Sequence, residues 1–156
     1  MRKFAANYLV ADTGDYLKNG IVVVGEDGFS LEYIDTKGDL REIAQLTFLN
    51  GILMAGCTFI KTKAANSGSD QPFESLIMNF LAESNQFSLH ELIDLGKQIQ
   101  LQFPTFKIPE IMNKITSILQ IEGGFSKEPK SGIYLITGVD LVNLHFSPKS
   151  RLKKIL

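Results

Sequence analysis

Ile21-Val22-Val23-Val24-Gly25-Glu26-Asp27-Gly28-Phe29-Ser30-Leu31-Glu32-Tyr33 decides how this chain folds. Four consecutive β-branched residues are stiff at χ1 and suit the pleated surface of a strand. A run this short with no polar alternation predicts a strand buried on both faces. Asp27-Gly28 supplies the positive-φ pair that a tight hairpin turn requires. Beyond the turn, Phe29, Leu31 and Tyr33 alternate with more polar neighbours, so the returning strand should bury one face. Towards the N-terminus, Phe4, Ala6, Tyr8 and Val10 alternate in the same way. Towards the C-terminus, Asn50-Gly51 stands between the apolar stretches 46–49 and 52–54 and predicts a second hairpin turn. Residues 2–60 therefore read as β-rich.

The period then changes. Residues 64–72, Ala-Ala-Asn-Ser-Gly-Ser-Asp-Gln-Pro, have little to bury and read as a linker. From residue 73 the apolar positions recur at helical spacing. Phe73, Leu76, Ile77, Phe80 and Leu81 share one face. Ser88 and Glu91 make a capping box that opens a helix striped by Leu89, Leu92, Ile93, Ile99 and Phe103. Pro104 ends that helix, and Pro109 fits the first turn of another, striped by Ile111, Met112, Ile115, Ile118 and Leu119. Gly123-Gly124 stops it. Strand character returns with Ile133-Tyr134-Leu135-Ile136 and with the alternation of residues 150–156.

Composition excludes several classes. The formal net charge is −1, with 44% hydrophobic residues in 156. That balance gives no electrostatic reason to expect a nucleic acid or an anionic membrane as partner. Lys149, Arg151, Lys153 and Lys154 alternate with Leu152 and Ile155, which is the pattern of a strand with one wet face. A single cysteine, Cys57, excludes an internal disulfide and suits a reducing compartment; with no base beside it in sequence, it reads as an inert thiol. Met1-Arg2-Lys3 is basic, but Asn7, Asp12 and Asp15 interrupt any apolar signal run. Nothing approaches the ~20 apolar residues of a membrane span. The expectation is a cytoplasmic protein. No Gly-x-Gly-x-x-Gly, phosphate loop or Gly-x-Ser-x-Gly elbow is present, and Glu32 with Asp35, or Glu110 with Glu122, read as solvated faces.

Three stretches carry a resemblance to one family. They are Lys18-Asn19-Gly20-Ile21-Val22-Val23-Val24 with Asp27-Gly28, then Asn50-Gly51-Ile52-Leu53-Met54-Ala55-Gly56, and finally residues 124–126 with Gly132-Ile133-Tyr134-Leu135-Ile136-Thr137-Gly138-Val139-Asp140. Their order and spacing resemble the amidohydrolase superfamily, in its chlorohydrolase and deaminase-like branch. In that family both chain ends build a small β-sandwich, and a metal-bearing (β/α)8 barrel is inserted between them. The likeness covers roughly residues 2–63 and, more thinly, 85–156.

The departures bear on function. The family follows its Pro-Gly turn with His-x-His, two imidazoles that point the same way on a strand and hold one ion. The matching positions here are Lys61 and Lys63, whose ammonium groups have no lone pair and repel a cation. The family's later ligands, two histidines and an aspartate, have nowhere to sit, because such a barrel needs at least ~200 residues. Near the expected aspartate stands Glu83-Ser84-Asn85-Gln86, and no aspartate occurs between Asp70 and Asp94. The chain's two histidines, His90 and His145, read as a solvated helix residue and as a strand or loop residue with its own hydrogen bond. Lys61 and Lys63 are the remaining candidates, as an anion contact or as a carbamate former; the alternative is a polar strand end entering the linker.

These readings predict an α+β fold: a small β-sandwich from residues 1–63 and 124–156, a linker at 64–72, and a helical segment at 73–123 packed beside it. The resemblance implies a barrel-less, non-catalytic pseudoenzyme with no cofactor and no metal or catalytic residues. It would act as a structural or interaction module through a homodimer or a protein partner. A small-molecule-binding protein, or an accessory subunit of an intact amidohydrolase, is the alternative. Val22, Val24, Leu31, Phe48, Ile52, Leu135 and Ile155 are expected to be buried.

Overall fold

The structure is a computed structural model and describes residues 1–11, 14–28, 31–55, 59–60, 75–77, 86–87, 89–119 and 132–156. The expected linker at 64–72, the Ser88 cap, Cys57 and the Gly123-Gly124 stop lie outside those residues. The alternating N-terminal stretch forms β1 (Arg2–Val10), followed by β2 (Tyr16–Lys18), β3 (Ile21–Val24) and β4 (Leu31–Ile34). The β-branched run of β3 is buried throughout, and Gly28 takes a positive φ of 72° in the turn towards β4. The hairpin read from Asp27-Gly28 is therefore present.

Asn50-Gly51 behaves differently. It does not turn the chain; it lies inside one ten-residue strand, β5 (Leu46–Ala55). Along β1, Ala6 faces Leu49 and Tyr8 faces Ile52, so β5 carries one residue more than β1 between those pairs. That is a β-bulge. Gly51 has φ 141°, and its N–H donates to Asn7 Oδ1 at 2.8 Å. A side chain on the neighbouring strand thus takes the hydrogen bond that the interrupted ladder leaves over. The conformational freedom that suggested a hairpin is used to bulge a continuous strand.

The continuity of β5 shapes the architecture. β5 runs parallel to β1 on one side and antiparallel to β8 (Ile133–Thr137) on the other. β9 (Arg151–Lys154) adds outside β8. The sheet order is β4-β3-β1-β5-β8-β9, with β2 also paired to β1, giving seven strands. β6 (Phe59–Ile60) and β7 (Gln86–Phe87) make a separate two-stranded pair. The fold is α+β, and both chain ends enter the same sheet. Among the described residues, seven of the strands form one hydrogen-bonded sheet in which β5 bridges the two chain ends.

Two helices follow the striping, α1 (Leu89–Gln102) and α2 (Ile108–Leu119), and residues 75–77 are helical as well. α1 ends two residues before Pro104, and Pro109 sits in the first turn of α2, as their fixed φ dictates. Leu92, Leu95, Ile99, Ile111 and Ile115 pack with Val10, Ile52, Met54 and Ile136 of the sheet, so the helices cover one side of its middle strands. A second cluster draws on the strands alone. It joins Leu53 and Leu135, which alternate with that first set, to Phe4, Val22 and Val24. A third is small: Ala5, Ile21 and Val23 under Leu40, Ile43 and Leu46.

Val22, Val24, Ile52 and Leu135 are buried as expected, while Leu31 and Ile155 are half-buried. Phe48 is 44% exposed, contrary to expectation. Leu40 and Ile43 pack on Leu46, and Phe48, two residues further along β5, falls outside that cluster.

Two buried side-chain polar atoms, the Tyr16 hydroxyl and Gln100 Oε1, have no hydrogen-bond partner among the described residues. Burial pushes the Tyr16 phenol well above the usual tyrosine range. A buried, unsatisfied hydroxyl costs stability. Tyr16→Phe is therefore expected to raise stability by about 1 kcal/mol in urea unfolding. A loss of that size would mean that the hydroxyl is satisfied in solution.

Candidate functional site

α1 presents two stripes. The inward one holds Leu92, Leu95 and Ile99. The next one holds His90, Asp94, Lys97 and Leu101, at spacings of four, three and four, and it borders a groove against residues 146–152. Two cavities lie along this groove, of about 130 and 170 Å3, and Lys97 lines both. The smaller has apolar walls from Leu101, Phe146 and Pro148. The larger is polar, with His90, Asp94 and Arg151 at its rim.

The far wall is held by local hydrogen bonds. Ser147 Oγ donates to Gly138 O at 2.6 Å, and Ser150 Oγ donates to the same carbonyl at 3.0 Å. Ser147 N–H donates back to Ser150 Oγ at 2.9 Å, which closes the turn. Phe146 is buried against Gly96 of α1, where any larger residue would meet the ring. Glycine at that one helical position lets the aromatic ring reach the helix backbone. The groove floor is thus fixed from both sides.

Its charges are unevenly paired. Lys97 is half-buried, and its Nζ donates to Ser150 O at 3.1 Å. Lys37 pairs with Asp35 and Arg41 with Asp39, whereas the hydrogen bond of Lys97 goes to a neutral carbonyl, with Asp94 on the wall of the larger cavity that Lys97 also lines. An ammonium has three donors, so this bond leaves two without a partner among the described residues. Gln100, on the same face, is 8% exposed. Its Nε2 donates to Phe106 O at 2.9 Å and Pro104 O at 3.2 Å, while Oε1 is buried without a partner among the described residues. The two carbonyl acceptors fix the amide orientation and tie the end of α1 to the connection before α2. Gln100→Leu is expected to cost about 1–3 kcal/mol in denaturant unfolding, by orphaning those acceptors. An unchanged midpoint would show that water satisfies them.

Lys61 and Lys63 lie outside the described residues. His90 is exposed and stands edge-on to Tyr134, with ring centroids 6.3 Å apart. His145 exchanges backbone hydrogen bonds with Asp140, at 2.9 and 3.1 Å. Asp140 accepts from Asn143 and Val142, and those hydrogen bonds, Asn143 first, hold its carboxyl below the ordinary range. Asp35 is held down in the same way by Lys37. Both are exposed turn formers. Among the described residues, no three His, Cys, Asp or Glu side chains are grouped so that they could hold a metal ion.

Comparison with protein-family models, with curated proteins and with solved structures finds no match to this chain. Lys97, Gln100 and Phe146, the groove's central residues, carry no sequence motif. Gln100 alone leaves a trace: a polar residue beside Ile99 in an otherwise apolar stripe, four residues before Pro104.

Proposed function

We propose that this chain is a non-catalytic relative of the amidohydrolases, reduced to the composite β domain and acting as a structural or interaction module. The observation that carries this reading is the pairing of β5 with β8. The chain leaves the sheet after Ala55 and returns at Ile133 on the adjacent strand, so one sheet is composed from both chain ends. Residues 56–132 fill the excursion, far short of the ~200 that a catalytic barrel needs. The described helices of that excursion pack back onto the sheet.

Lys61 and Lys63 at the His-x-His positions support the same reading, because ammonium groups cannot ligate a cation. No catalytic residue, metal or cofactor is assigned. No helix among the described residues is long and apolar enough to cross a membrane. A cytoplasmic setting, with a homodimer or a protein partner and no nucleic acid, fits the near-neutral charge. Val142, 90% exposed, and Leu101, 81% exposed, are the apolar side chains such a partner would cover. Light scattering at micromolar concentration is expected to give a mass above that of one chain; a clean monomer would remove the homodimer.

Elemental analysis of purified protein tests the non-catalytic reading. Substoichiometric zinc, iron and manganese are expected. Restoring two ligands with Lys61→His and Lys63→His should not create turnover of an amide, nitrile or aminated heterocycle, because the remaining ligands and the aspartate are still missing. A stoichiometric metal in the native protein, or metal-dependent turnover by the double variant, would overturn the proposal. The groove beside α1 favours a second reading, a small-molecule-binding protein.

A further inference from the structure

We propose that the smaller groove cavity is a binding site for a small monocarboxylate with an apolar, ring-sized body. Three observations carry this independently of any amidohydrolase relationship. The first is size. The cavity measures about 130 Å3, and an apolar protein cavity of ~150 Å3 accommodates benzene. The second is lining. Phe146, Pro148 and Leu101 offer apolar walls, with Leu101 81% exposed. The third is charge. Lys97 lines the cavity half-buried, and among the described residues its ammonium donates to one neutral carbonyl, which uses one of its three donors.

A partly desolvated ammonium beside an apolar hollow selects an anion with an apolar body. A carboxylate meets both demands: it accepts a charge-assisted hydrogen bond from Nζ while its ring displaces water from the walls. The Ser147–Ser150 turn, fastened to Gly138, keeps the wall in place before the ligand arrives. Gln100 and Gly96 hold the helix side. The walls are thus preorganised, which lowers the cost of binding.

Benzoate and its neutral isostere benzamide are the probes, titrated into the full chain by calorimetry and followed by amide shifts in NMR. Benzoate is expected to bind about tenfold more tightly than benzamide, with shifts confined to residues 97–101 and 146–150. Lys97→Gln should erase that preference. Leu101→Glu changes an exposed position, so the fold is retained; removing an apolar wall should weaken both probes, and its carboxylate should weaken benzoate about tenfold more than benzamide. Equal affinity for the two probes, absence of binding at millimolar benzoate, shifts centred elsewhere, or an unaltered preference in Leu101→Glu would each overturn the site.

Discussion

Replacing Gly51 by alanine should destabilise the protein by at least about 3 kcal/mol, a large part of the 5–15 kcal/mol that holds a typical domain together. Two effects combine. The residue adopts φ 141°, where an L side chain is strained by about 1–3 kcal/mol. A Cβ there would also run into the Ile136 backbone carbonyl and approach Leu135 Cδ1. Since that carbonyl belongs to β8, relief requires separating β5 from β8 at the centre of the sheet. Gly28→Ala is the control. Gly28 also has positive φ, 72°, but an added Cβ meets nothing within 4 Å, so only the backbone cost of about 1–2 kcal/mol is expected. Urea unfolding compares the two. Equal losses would mean that β8 does not lie against Gly51.

Ending the chain at Ser131 should abolish cooperative folding. The deletion removes β8 and β9, and with them Ile133, Leu135, Ile136 and Phe146, all buried. Each fully buried side chain of this size is worth about 1.5–3 kcal/mol, so their sum rivals the whole margin of stability. The loss is shared between two clusters, since Ile136 and Phe146 pack beneath the helices while Ile133 and Leu135 pack with Phe4, Val22 and Val24. β5 would become an edge strand with exposed apolar side chains, prone to aggregation. Thermal unfolding followed by circular dichroism should show no transition. A cooperative transition at the full-length temperature would refute the dependence of one chain end on the other.

Local pattern made most of the elements legible. The β-branched run of β3, the alternation of β1 and the two helical stripes depend on near neighbours, and all fall where their periods put them. Asn50-Gly51 shows the limit. A dipeptide able to adopt positive φ serves a tight turn or a bulge equally well, and the difference rests on a distant acceptor, Asn7 Oδ1, 44 residues away. Phe48 was misplaced for a related reason: alternation identifies a face, but not whether Leu40 and Ile43 extend far enough to cover it. The groove was illegible altogether. It forms where α1 meets residues 146–152, and its defining contact, Lys97 to Ser150, spans 53 residues. Neither side carries a motif, and only the packed chain brings them together.

The β5–β8 contact makes one sheet of two distant chain ends. Amide hydrogen exchange under native conditions tests it residue by residue. The β5 and β8 amides of the register from Ile52–Ile136 to Ala55–Ile133 that are hydrogen-bonded across the pair are predicted to exchange together, in the slowest class and at the global unfolding free energy. If the β8 amides exchange early while the β5 amides remain protected, the two ends do not share a sheet, and the proposed barrel-less, composite-domain function loses the observation it rests on.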